Sequence, residues 1–442
     1  MRFPVFSVRR TQDKNGKVRD MAYLTKIGIA GALIVATIAV APGGSAARSY
    51  SEVQLRGNEF LKSDDILAVC DISEDENFTS STKAEIRQCL MSTGQFGGVK
   101  FVPEGDTMVI EVEELNSRPG RFEVGLQVDS EEGPIGTVYF ERYNLFPGTF
   151  GAIELRFSEE FSELTTSLYR KDAFANGWDL GLDTSVTDAR YDDQSYEHRR
   201  AFIEPYVARK FAGGGRGEIG LGYRSDTIRN VSATSSALIK ADAGARREAY
   251  LRLSYRHTAE NWEAEAKQFF FGLGTGNVIS QTQVSAGTRF AIDPDNLVLA
   301  LRMEGGHVSS LKGPPARISD RFFTSGTALR GFASRGIGPR DGADFLGGEN
   351  YLVGSVELQK SIGQVFGTPA RIGGFVDVGS AWGLSNTLGG GVNDGLDWRA
   401  SAGLSMTLEF GNVPVSFYLA EPVRKQPGDE IQNFGLSISA RF

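Results

Sequence analysis

Apolar and polar residues alternate one by one through most of this chain. In Ile153-Glu154-Leu155-Arg156-Phe157 the odd positions are apolar and the even ones charged, and Leu251-Arg252-Leu253-Ser254-Tyr255-Arg256 repeats the split. In residues 297–304, Leu297, Leu299, Leu301 and Met303 share one face while Arg302 and Glu304 share the other. This period of two predicts strands with one apolar and one polar face, the pattern of a barrel with lipid outside and water within. A soluble sandwich alternates in the same way, so the period alone does not choose between them. Length favours the barrel: from residue 120 onward no second fold signal intervenes. At roughly 20 residues per strand plus connection, that stretch supplies about 16 membrane strands. The last segment points the same way, because Phe434, Leu436, Ile438, Ala440 and Phe442 all fall on one face of a final strand. An unprotected apolar edge invites aggregation, and closure against a first strand near residues 122–128 removes it.

The stretch before residue 115 reads differently. Val53-Gln54-Leu55-Arg56-Gly57-Asn58 alternates and stops at a Gly-Asn turn, and Ser63-Asp64-Asp65 offers a helix cap ahead of Ile66, Leu67 and Val69. Ser80-Ser81-Thr82 opens a second helix carrying Ile86 and Leu90, which ends at Gly94. Two short strands then flank Pro103-Glu104-Gly105-Asp106, a hairpin signal. The predicted order is strand, helix, helix, strand, strand. Cys70 and Cys89 fall on the two helices, where a disulfide would pin one to the other in an oxidising compartment; two small buried thiols are the alternative.

The apolar run at residues 27–41 is shorter than the ~20 residues of a spanning helix. With Lys26 before it and Gly44-Ser45-Ala46-Ala47 after it, the run reads as a secretion signal, placing leader and signal peptide in residues 1–47. Met1 and Met21 both remain open as the start. A net charge of −8 argues against a nucleic-acid partner. The three histidines, His198, His257 and His307, stand in no recognisable arrangement with a nucleophile or with metal spacing, which argues against an enzyme. Phe271-Gly272-Leu273-Gly274-Thr275-Gly276-Asn277 lacks the ending of a nucleotide loop and is expected to be a hairpin turn.

Leu329-Arg330-Gly331-Phe332 places an arginine in a long glycine-rich segment between two alternating strands, and downstream the alternating strands at residues 352–358 and 372–378 carry Glu357 and Asp377 on their polar faces. If those faces line a lumen, Arg330 folded inward can make charge-assisted, bidentate bonds to both carboxylates.

Residues 50–114 resemble a POTRA domain, on Val53 to Asn58, on the Gly94 and Phe96 region and on the closing run at Ile110. Three further motifs occur in order. They are Leu329-Arg330-Gly331-Phe332 with Gly336 to Asp341, then Gly347-Gly348-Glu349-Asn350 leading to Ser355-Val356-Glu357-Leu358, then Phe375-Val376-Asp377-Val378-Gly379-Ser380-Ala381-Trp382. Together they are similar to the BamA/TamA superfamily, the bacterial surface antigen family, as is Asn144-Leu145-Phe146. The resemblance spans about residues 50–442 and implies an all-β transmembrane barrel of about 16 antiparallel strands. The barrel would occupy residues 118–442, behind a periplasmic POTRA-like α+β domain at 48–117. It implies a lumen latch of Arg330, Gly331 and Phe332 against Glu357 and Asp377. It also implies a weak seam at a last strand whose Phe434, Gly435, Leu436, Ile438 and Phe442 form a sorting signal. Within that strand Gly435 either loosens the pairing locally or is only a tolerated weak point.

The function implied is non-covalent insertion or translocation of proteins at the Gram-negative outer membrane, with no catalytic residue, cofactor or metal. The implied partners are unfolded outer-membrane or exported clients, outer-membrane lipids and accessory assembly proteins. The chain departs from the pattern in having room for one POTRA domain, where family members carry two, three or five. A dedicated exporter of one passenger, or a passive porin or receptor, stays open beside an insertase.

Overall fold

The computed structural model describes residues 50–441, apart from residues 51, 59–60, 62, 74–75, 77, 115–119, 130–132, 147–148, 175–176, 192–193, 212, 294–295, 325 and 411–412. The expected leader and signal peptide at 1–47, and Phe442 of the expected sorting signal, lie outside the described residues.

The N-terminal module follows the order read from the sequence: β1 (Glu52–Arg56), α1 (Ser63–Val69), α2 (Ser80–Ser92), β2 (Phe96–Glu104) and β3 (Thr107–Glu114). The sheet order is β1-β3-β2, with β1 parallel to β3 and β2 antiparallel to it. The cap of α2 is Thr79, one residue before the predicted serines, and its side chain accepts from the Thr82 amide. Ile86 and Leu90, one helical turn apart, bury the same face of α2 among Val53, Ile66, Phe96, Met108 and Ile110. Cys70 and Cys89 form a disulfide across 19 residues of chain. Cys70 sits in the turn after α1 and not on the helix, so the bridge ties a helix end to α2.

A closed barrel of sixteen antiparallel strands follows. Its first half is β4 (Gly120–Asp129), β5 (Gly133–Phe146), β6 (Thr149–Phe157), β7 (Phe161–Phe174), β8 (Trp178–Ala189), β9 (Glu197–Phe211) and β10 (Gly215–Arg229). After the short helix α3 (Ala237–Asp242) come β11 (Gly244–Thr258), β12 (Trp262–Leu273), β13 (Val278–Asp293) and β14 (Leu297–Lys312). Residues 313–349 then form a long loop containing a 3-10 turn (Ile318–Asp320) and three two-residue strands, β15 (Gly331–Phe332), β16 (Arg340–Asp341) and β17 (Asp344–Phe345). The wall resumes with β18 (Asn350–Val365), β19 (Thr368–Trp382), β20 (Arg399–Phe410) and β21 (Val413–Arg424). The two-residue β22 (Ile431–Gln432) precedes the last wall strand, β23 (Phe434–Arg441).

The alternation resolves into outside and inside. Leu253, Tyr255, Val356, Leu358, Val376, Leu404 and Leu419 stand exposed on the exterior. Their strand neighbours Arg252, Ser254, Ser355, Asp377 and Ser401 are buried within. A soluble sandwich would bury the apolar face; here it faces outward around the barrel, the arrangement a hydrocarbon surrounding requires. The expected turn between Phe271 and Asn277 joins β12 to β13, with Gly272 at φ +83.

Candidate functional site: an arginine latch inside the barrel

The loop at 313–349 brings Arg330 to the inner faces of β18 and β19. Those faces are fixed by the pleat: Val353, Ser355 and Glu357 on β18, and Phe375 and Asp377 on β19, alternate with the exposed Val356, Leu358, Val376 and Val378. The strands are in register with Ser355 opposite Asp377 and Glu357 opposite Phe375, so both carboxylates reach one point.

Arg330 fills that point. Its Nε and Nη2 donate to the two oxygens of Asp377 at 2.8 and 2.9 Å, and its Nη1 donates to Glu357 at 2.6 Å. Its backbone amide also donates to Asp377 at 3.1 Å. The guanidinium carbon lies 3.4 Å above the centre of the Phe375 ring, a cation–π contact. Asp377 has no exposed surface and receives a further bond from Ser355 at 2.6 Å; Glu357 receives Ser405 at 2.6 Å and Gln359 at 2.9 Å. With every partner hydrogen-bonded and largely desolvated, the cluster belongs to the class in which removing one member leaves an uncompensated charge. Only a planar, permanently charged fork satisfies two carboxylates and an aromatic face at once.

Leu329 and Phe332 flank the arginine and are buried with Ala328, Ile337 and Val353. Gly331 adopts φ +94 with Ser401 and Ala420 close beside it, so the chain turns past the wall where a side chain would crowd. The structure thus brings together Arg330, Gly331, Phe332, Glu357 and Asp377, and places Phe434, Gly435, Leu436 and Ile438 on β23, several strands away.

The loop has a second charged anchor that sequence reasoning missed. Asp320, fully buried, receives Arg224 of β10 at 2.5 Å, and Arg224 also bonds Glu248 of β11 at 2.7 Å while lying over Phe271. Arg200 donates to the Ser319 carbonyl and Gln281 to that of Asp320, each at 2.7 Å. Ten residues before Arg330, Asp320 was visible as a loop charge, but alternation assigns a face and not the distant strand that a loop residue meets. His307, the nearest approach to a catalytic histidine, hydrogen-bonds Asn350 at 2.7 Å.

The last strand closes the barrel through a short seam. Residues 437–441 pair with residues 125–129 of β4. Among the described residues, none of β23 pairs with residues 120–124, which are registered to β5 alone. By contrast, β10 and β11 are in register from Gly215 opposite His257 to Ile228 opposite Gly244.

Residues 147–442 match the Omp85 superfamily domain. The chain is 24% identical over 422 residues to an outer membrane protein assembly factor BamA of Neorickettsia risticii, covering 88% of this chain and 55% of the relative. It is 39% identical over 90 residues to a SAM50-like protein of Schizosaccharomyces pombe, covering 20% of this chain and 18% of that one. The chain spans about half the length, or less, of these curated relatives. Among solved structures, BamA from Haemophilus ducreyi lacking POTRA domains 1–3 superposes with a TM-score of 0.67 at 19% identity, covering 89% of this chain and 85% of that one. CdiB from Acinetobacter baumannii superposes at 0.54 and 11% identity, covering 89% and 74%. At these identities both likenesses speak to the fold alone.

Proposed function

This chain belongs to the Omp85 superfamily, and on that premise we propose that it inserts proteins into the outer membrane through the seam between its first and last strands. The barrel lies in the Gram-negative outer membrane. The observation that carries the reading is the seam: β23 meets β4 over five residue pairs, leaving residues 120–124 with no described partner on that side. In hydrocarbon an unpaired backbone group costs several kcal/mol, roughly, and an incoming strand removes that cost by pairing with it. The N-terminal module acts as a POTRA domain that receives clients in the periplasm by strand addition to its exposed sheet edge. It contacts the barrel's periplasmic turns, for example through Ser80 to Glu260 at 2.9 Å. The latch holds the inward loop while the seam works, and no step makes or breaks a covalent bond.

Depletion of the protein followed by quantitative outer-membrane proteomics tests this. Loss of many barrel proteins is the expected result. Loss of one exported passenger alone would assign the chain to dedicated export, and an unchanged outer membrane would leave it a passive pore.

A further inference from the structure

Two contacts connect the latch to the seam. The first is backbone pairing: Gly331 and Phe332, next to the latch arginine, pair antiparallel with Gln432 and Ile431 as β15 and β22. The Ala333 amide donates to the Glu430 carbonyl at 3.1 Å, and the Glu430 amide donates to the Gly336 carbonyl at 2.9 Å. The segment held in this way runs directly into β23, whose first residue is Phe434.

The second is a line of rings along the inner wall. Phe375, under the Arg330 guanidinium, packs edge-to-face with Tyr418 of β21, their centroids 6.2 Å apart at 88°. Between them on β20 stands Gly403, where a Cβ would fall 2.4 Å from the Phe375 ring. Tyr418 in turn lies over Gly435 of β23, its register partner, where a Cβ would fall 2.1 Å from the ring. Glycines therefore clear the path, and one uninterrupted contact line runs from Arg330 through Phe375 and Tyr418 to the seam strand.

We infer that Tyr418 and the Gly331–Phe332 pairing with Ile431 and Gln432 make the latch and the seam one two-state element, with Tyr418 a positioning residue for the closed seam. Withdrawing Arg330 from Asp377 and Glu357 removes the upper face of the Phe375 contact and pulls on β15. Either event frees the segment that anchors β23 and shifts the seam toward its open form. The functional weight of this coupling rests on the reading of the seam as a gate; the coupling itself does not.

A cysteine pair at the register partners Val128 and Ile438, introduced as Val128→Cys and Ile438→Cys in the full chain, reports seam closure by its rate of oxidative cross-linking in liposomes. Against that background, Arg330→Ala is expected to slow cross-linking at least threefold, and Tyr418→Leu to slow it by a similar factor. The double variant is expected to be no slower than either alone, and Tyr418→Phe to restore the parent rate by keeping the ring. Heat-modifiable migration identifies folded barrels. Should Tyr418→Leu fail to fold, Glu430→Pro, which removes the amide that donates to the Gly336 carbonyl and leaves the wall intact, is expected to slow cross-linking in the same way. Additive effects in the double variant, or unchanged rates in folded Tyr418→Leu or Glu430→Pro, overturn the coupling. The assay needs no client, so a loss of insertion with normal coupling, or the reverse, separates this inference from the proposed function.

Discussion

Arg330 meets two carboxylates, a hydroxyl and an aromatic face simultaneously, and this sets what a substitution does. Arg330→Ala leaves Asp377 buried without its cation and is expected to destabilise the folded barrel by about 3 kcal/mol or more. Arg330→Lys keeps the charge, yet one ammonium cannot serve both carboxylates and cover Phe375, so it is expected to recover less than half of that loss. Urea titration followed by heat-modifiable migration measures both, and a lysine variant as stable as the parent would sink the geometric reading. Asp320→Ala is expected to cost less, about 1–3 kcal/mol, because Arg224 loses its loop partner but keeps Glu248 at 2.7 Å and Asp226 at 3.4 Å. The two anchors were unequally legible. Arg330, Glu357 and Asp377 could be named in advance because the two carboxylates lie on alternating strands whose faces the period of two assigns. The match between Asp320 and Arg224 spans 96 positions of sequence and depends on how the loop crosses the lumen, which no local pattern encodes.

In β23 the sequence suggested that Gly435 is a weak point, and the packing assigns it a different role. A methyl group there would overlap the Tyr418 ring, so glycine is what lets β21 and β23 lie in register with an aromatic residue between them. Gly435→Ala is accordingly expected to destabilise the barrel by about 1–3 kcal/mol through overpacking. Combined with Tyr418→Ala, which removes the obstruction, it is expected to add nothing further; an additive loss in urea titration would show that the glycine serves the backbone instead. In the N-terminal module the strand and helix order was readable from turn residues and caps, while the disulfide geometry was not. Cys70 lies beyond the end of α1, and the bridge closes a loop of 19 residues. On a chain-entropy argument, Cys70→Ser with Cys89→Ser removes about 3 kcal/mol from the module. The expected outcome is rapid proteolysis of that module with a protected barrel in the full-length protein.

At the scale of the whole molecule, alternation, length and a final apolar strand were enough to indicate a closed barrel of about 16 strands. They could not indicate how unevenly it is closed, because the extent of pairing between first and last strands depends on the stagger accumulated around the entire wall. That unevenness gives the molecule a preferred place to open. Most wall pairs are registered over ten or more residues, and parting any of them exposes a long row of backbone groups to hydrocarbon. The two contacts of β23 expose the fewest, with five registered pairs each to β4 and to β21, so thermal opening concentrates around this last strand. Tying Val128→Cys to Ile438→Cys by a disulfide should then abolish client insertion in a reconstituted assay while leaving the barrel folded, and reductant should restore it. Reductant also reaches Cys70 and Cys89, so the parent protein treated identically fixes the baseline. A locked seam that still inserts clients at the parent rate would move the working site away from the contact of β4 with β23, to the equally short contact of β21 with β23, to the lumen or to the N-terminal module.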